Sequence, residues 1–162
     1  MTALIFVPLD RAEVMALRAG TDIGPLPGCA PTAALAGSLE LDAAAEEVDF
    51  AALSQAGVLA LSAGSDPLRL VLAADVANQQ VTGRGGDLGE VTVTGLRWAQ
   101  VQALFADEAA AEPSVARARA EMAGPGLADS VVTEAVAALQ DDFDLLWFAP
   151  DELDRLPALD QH

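Results

Sequence analysis

Six consecutive residues, Leu4-Ile5-Phe6-Val7-Pro8-Leu9, form the first apolar run of the chain, and a continuous run of that length reads as a buried strand. Asp10 follows it. A carboxylate there suits the free N–H groups of a first helical turn, and Glu13 three residues on completes a capping box. Val14 and Leu17 supply an apolar face, and Gly20 fits the C-terminal cap. Glycines and prolines from Gly24 to Pro31 predict a loop with room for one short strand. Thr32 heads a short helix through Leu39. Asp42, Glu46, Glu47 and Asp49 make a solvated patch, and Phe50, Leu53, Val58 and Leu61 then mark an amphipathic helix ending near Gly64.

Pro67 precedes Leu68-Arg69-Leu70-Val71-Leu72-Ala73-Ala74, the clearest strand. Thr82-Gly83-Arg84-Gly85-Gly86-Asp87 is a turn, and Glu90 to Thr94 alternates as a strand should. Trp98, Val101, Leu104 and Phe105 fall at helical spacing, which predicts a helix from Leu96 to Phe105. Pro113 suits the start of another helix, running to about Met122 with Arg117 and Arg119 outward. Gly124-Pro125-Gly126 breaks it. Asp129 caps a helix with Val132, Ala135, Val136 and Leu139 on its apolar face. Leu145-Leu146-Trp147-Phe148-Ala149 has the densest large apolar groups, which favours a central strand over an interface. Asp151 opens a last turn carrying Leu153 and Leu156. Strands interleaved with more numerous helices predict an α/β or α+β fold. The expectation is a single layered domain over residues 1–162, with one mixed sheet of about four to five strands covered by helices.

Charge changes this picture more than composition does. The 162 residues carry 25 acids against eight basic residues, all Arg, for a net charge of −17. Phosphate binding requires a basic patch, so nucleic acid and anionic membrane are poor partners, and a basic protein is a good one. Residues 121–162 hold ten acids and one Arg, a net of −9, more than half the excess. Asp141, Asp142 and Asp144, with Trp147 beside them, are therefore the partner-binding candidates. The hydrophobic fraction of 52% supports a core, although 35 of the residues are Ala. The absence of Lys, a single Asn (Asn78) and two Ile suggest a GC-rich genome. Salt adaptation is a rival account of the acidity, since ions screen self-repulsion.

Three apolar runs end in a carboxylate: Asp10, Asp75 and Asp151. On parallel, adjacent strands they would meet at one rim, where open α/β sheets bind ligands, and could hold Mg²⁺ for phosphohydrolase or nuclease chemistry. The plainer role for Asp10 and Asp151 is helix capping, with Glu13 and Asp154 at the third helical position. His162 is the single histidine and Cys29 the single cysteine, so no Ser–His–Asp triad is backed by a placed base and no disulfide or thiolate cluster forms within the chain. Cys29 reads as a small buried apolar residue. Gly83-Arg84-Gly85-Gly86 lacks the Lys-Ser/Thr of a P-loop and precedes a strand. Trp98 reads as core.

Phe6-Val7-Pro8-Leu9, Leu70-Val71-Leu72-Ala73-Ala74-Asp75-Val76 and Asp144-Leu145-Leu146-Trp147-Phe148 together resemble a family of small acidic uncharacterised actinobacterial proteins with no assigned activity. The resemblance implies a compact cytoplasmic domain and transfers no functional residues. The first nine residues lack a basic region and reach Asp10 too soon for a signal peptide, and no apolar stretch has the length of a span, which also predicts a cytoplasmic protein. The expectation is a non-enzymatic domain, without cofactor, that binds a protein partner through its acidic surface. The alternative is a small Mg²⁺- or Mn²⁺-dependent hydrolase using Asp10, Asp75 and Asp151.

Overall fold

The computed structural model describes residues 2–42, 46–63, 66–83, 88–122 and 134–156. The expected helix end at Gly64, the loop residues Arg84 to Asp87, the break at Gly124-Pro125-Gly126, the cap at Asp129, Val132 and His162 lie outside them. Among the described residues, seven strands form one sheet in the order β4-β5-β2-β1-β3-β6-β7. They are β1 (Thr2–Pro8), β2 (Leu26–Cys29), β3 (Leu70–Ala77), β4 (Val81–Thr82), β5 (Glu90–Val93), β6 (Val101–Ala106) and β7 (Leu146–Phe148). Five helices accompany them: α1 (Arg11–Arg18), α2 (Ala33–Ser38), α3 (Glu46–Ala63), α4 (Glu112–Glu121) and α5 (Glu134–Asp142).

Every pairing is antiparallel. The fold is α+β, and the expected mixed sheet of four to five strands is corrected on both counts. Helices between strands suggested crossovers, but α1 leaves β1 and returns to β2 at the same end of the sheet, so it is an excursion over one face. Its start keeps the Glu13 half of the expected capping box: the Asp10 backbone N–H donates to Glu13 Oε1 at 3.0 Å. Its end is a Schellman turn, with Gly20 at φ 90°, Gly20 N–H bonded to the Leu17 carbonyl and Thr21 N–H to that of Ala16. Thr32 Oγ1 accepts from Leu35 N–H at 3.1 Å and caps α2.

Two cores sit on the two faces of the sheet. One packs Ile5, Val7, Leu72, Val93 and Leu104 beneath Val14 and Leu17 of α1 and Leu153 and Leu156 of the last turn. The other packs Phe6, Cys29, Val71 and Ala73 beneath α2, α3, α4 and α5. Phe6 and Phe105 meet edge to face, with ring centroids 6.3 Å apart. Gly28 is required where β2 crosses β1, because a Cβ there would lie 2.8 Å from the Phe6 carbonyl oxygen.

Residues 96–105 are not a helix. Trp98–Gln100 form a single 3-10 turn, pinned by Gln100 Nε2 donating to Gln80 Oε1 at 2.8 Å, and β6 follows. As β6 is covered on both faces, Val101, Ala103, Leu104 and Ala106 are all buried, and that pattern mimics helical spacing. Trp98 is half-buried against the α1 face. The closing strand is also corrected: β7 is an edge strand beside β6, with Leu146 41% and Trp147 60% exposed. In α3 the buried stripe is Val48, Ala52, Ala56 and Leu59, while Phe50 points outward at 67% exposure. Small side chains let the helix approach a sheet face already filled by Phe6 and Val71, so alanines take the inward positions.

Candidate functional site

Arg69 is the one charge in the apolar run that becomes β3, and Asp107 follows the last residue of β6. Because Leu70 pairs with Ala106, the two polar residues arrive side by side. Arg69 Nε donates to Asp107 Oδ2 at 2.9 Å, and Nη2 donates to Oδ1 at 2.7 Å. The Arg69 backbone N–H adds a third bond to Oδ2 at 2.9 Å. Both side chains are buried, at 4% and 0% exposure, and such a pair is tolerable only when its hydrogen bonds are made. Nη2 also donates to the Phe143 carbonyl at 3.0 Å, which fixes the exit of α5 against the sheet.

That anchor defines a cleft of about 450 Å³ between the first half of α3 and the segment after α5. Arg69 lies at its floor, Phe50, Ser54 and Gln55 on one wall, and Asp141, Asp144 and Leu145 on the other. Next to it, a groove of about 420 Å³ opens on the same sheet face, lined by Leu4, Phe6, Phe105, Phe50 and Trp147, with Asp49 at its rim. Phe50 and Leu53 border both spaces. Asp141, Asp144 and Trp147 are thus brought to one surface. Asp142 is exposed at the end of α5 but lines neither space.

The strand-end aspartates are not brought together. β1 and β3 are antiparallel with Leu4 opposite Asp75, so Asp10 lies six positions further along, roughly 20 Å at strand rise. Asp75 is exposed on the α3 face, whereas Asp151 is the second residue of the 3-10 turn Pro150–Arg155, whose Leu153 packs into the opposite core. Among the described residues no three of His, Cys, Asp or Glu are grouped to hold a metal ion. The parallel geometry that the metal reading required is contradicted by the pairing.

Asp10 belongs instead to a structural knot. Its Oδ1 accepts from Asp66 N–H at 3.3 Å, and Asp66 Oδ2 accepts from Arg11 N–H at 2.6 Å. Burial pushes the Asp66 carboxyl above the ordinary value, against the lowering effect of the Arg11 N–H. Arg119, expected outward, turns inward, and its Nε and Nη2 donate to the Leu61 and Ala60 carbonyls near the end of α3. Cation and unbonded helix carbonyls are complementary there, since α3 has no basic residue in its last turn. Burial lowers the Arg119 pKa. At the other terminus the capping bond runs from Ala149 N–H to Glu152 Oε1, at 2.9 Å, so Glu152 takes the role expected of Asp154. Asp154 sits 3.8 Å from Arg18 in an exposed pair. Cys29 is buried, and burial with Glu90 nearby pushes its thiol up to about 12, so it presents no thiolate at neutral pH.

A family model matches residues 3–156, nearly the whole length. The chain belongs to DUF6912, a family of unknown function. No curated protein and no solved structure matches it. In this DUF6912 chain the sequence reading found Asp141, Asp144 and Trp147 from charge and apolar density. It missed Phe50, taken for core, and Arg69, taken as part of a strand. The signal for Arg69 was present: one guanidinium between Leu68 and Leu70 must be paired or must kill the strand.

Proposed function

We propose that this DUF6912 domain is a non-enzymatic docking module that binds a basic, amphipathic segment of a protein partner over the α3–β7 surface. One observation carries the reading. Phe50 and Trp147, at 67% and 60% exposure, flank an open apolar groove, and Asp49, Asp141 and Asp144 surround it and the adjoining cleft. Large exposed aromatics beside an open groove are the usual anchors of interfaces, and aromatic hot spots sit in pockets rimmed by polar groups. The carboxylates select the sign of the partner and speed its approach. Asp142 extends the acidic rim along the end of α5.

The reading sets the domain in the cytoplasm, where a lone reduced Cys29 is at home. No described helix is long and apolar enough to cross a membrane. The acidic, actinobacterial character inferred from the sequence fits a partner of opposite charge in the same compartment. The test uses a synthetic Lys–Leu amphipathic helix as probe, followed by Trp147 fluorescence in a Trp98→Phe background. Binding should shift the emission to the blue, weaken as salt rises, and disappear in Asp141→Lys/Asp144→Lys. Emission that stays unchanged up to millimolar probe at low salt would sink the reading.

A further inference from the structure

We propose that the cleft between α3 and the exit of α5 recognises a main-chain carbonyl of the docked basic segment through Nη1 of Arg69. The inference rests on the docking reading and adds the chemistry at the cleft floor. Arg69 has five N–H donors. Nε and Nη2 are held by Asp107 and the Phe143 carbonyl, whereas Nη1 makes no hydrogen bond. Among the described residues no fully buried side-chain nitrogen or oxygen lacks a partner, so Nη1 is not sealed from solvent, and Arg69 lines the cleft. A residue that is 4% exposed therefore keeps two N–H groups without a hydrogen bond beside the cleft it lines.

Gly57 leaves room beside Nη1. A Cβ at this position would lie 3.5 Å from Nη1 and 3.5 Å from Leu145 Cδ1. The identity of the acceptor follows from charge. Asp107 already balances the guanidinium in a bidentate pair, and Asp141 and Asp144 line the cleft wall, so an anion gains no net attraction. A neutral carbonyl loses nothing to those carboxylates, and a cation beside it gains from them. Phe50, Leu53 and Leu145 offer apolar wall to the methylene stem of a Lys or Arg side chain. A backbone carbonyl adjacent to a basic side chain meets all three conditions, and a simple polyamine meets only the last two.

The experiment compares two probes of equal charge, an N-acetylated, C-amidated tetra-arginine and the carbonyl-free tetracation spermine. Proton–nitrogen spectra of the arginine side chains provide the readout. The peptide should move the Arg69 Nη1 resonance downfield and slow its exchange with water, and spermine should not. Gly57→Ala places a methyl in ordinary contact with Nη1 and keeps or raises the melting temperature, because Ala is the better helix former. It should weaken the peptide about fivefold, the scale of one hydrogen bond, and leave spermine unchanged. If peptide and spermine bind alike and Gly57→Ala alters neither, the acidic wall binds cations without Arg69; this inference is overturned and the docking reading stands. If neither probe binds at low salt, both are overturned.

Discussion

The two faces of the sheet solve the same burial problem differently. On the α1 face the chain buries branched aliphatics and, among the described residues, no charge, with Ile5, Val7, Leu72 and Leu104 nearly inaccessible. On the α3 face it buries alanines, an arginine and an aspartate, and leaves a cleft and a groove open to solvent. The α1 face has an opening too, of about 430 Å³ beside Leu17, Leu96 and Trp98, but Arg18 and Arg97 border it and no strongly exposed aromatic does. The α3 face bears the features that recognition uses: a donor without a bond, exposed aromatics and unbalanced carboxylates. On the proposed docking reading, the contrast divides the molecule into a scaffold side and a docking side.

The largest test of that division is Asp107→Ala, which strands Arg69 as a buried unpaired cation and should cost about 3–5 kcal/mol in urea denaturation. A loss below about 1 kcal/mol would mean that water reaches the pair and that the α3 face is open to its floor. Leu104→Ala on the α1 face follows, at about 2–5 kcal/mol, as its side chain is fully enclosed. The matching cut Leu53→Ala on the half-buried wall of the groove should cost clearly less. Equal costs for the two leucines would erase the distinction between the faces.

A smaller effect is expected at Asp66, whose folded-state pKa is raised above the ordinary 3.8 by burial. The folded protein then holds this proton more tightly than the unfolded chain. Its contribution is fully favourable below about pH 3.8 and is lost as pH rises through the folded pKa. Asp66→Asn should therefore raise the melting temperature at pH 7 and give no gain below pH 4, with melts across that range as the measurement. A gain independent of pH would assign the effect to relief of general repulsion instead. Smallest for stability are Phe50→Ser and Trp147→Ser, within about 0.5 kcal/mol each because both side chains are mostly in water. Either change should nevertheless cut binding of the amphipathic probe. A large loss of stability with binding intact would move Phe50 or Trp147 to the scaffold.

Local elements were legible because their signals are local. The cap at Thr32, the Glu13 bond back to Asp10 and the Gly20 turn each involve residues within a few positions. Strand β1, the core of β3 and strand β5 followed from continuous or alternating apolar residues. Strand β6 was mistaken for a helix because burial on both faces erases the two-residue period. Of the candidate site, the acids Asp141 and Asp144 and the aromatic Trp147 were readable from charge and apolar density. The partnership of Arg69 with Asp107 spans 38 positions and depends on which strands are neighbours.

The sequence by itself determined the net charge of −17, the supply of one histidine and one cysteine, and the apolar segments from which strands are made. Those are sums over residues or properties of short windows, which no folding can alter. Tertiary structure alone decided that all pairings are antiparallel, which parts Asp10 from Asp75, and that β7 is an edge, which exposes Trp147. It also turned Phe50 out, turned Arg119 in and set Arg69 in the lining of a cleft. Each of these outcomes is a competition between distant surfaces for the same burial, and a linear pattern names the contestants without ranking them.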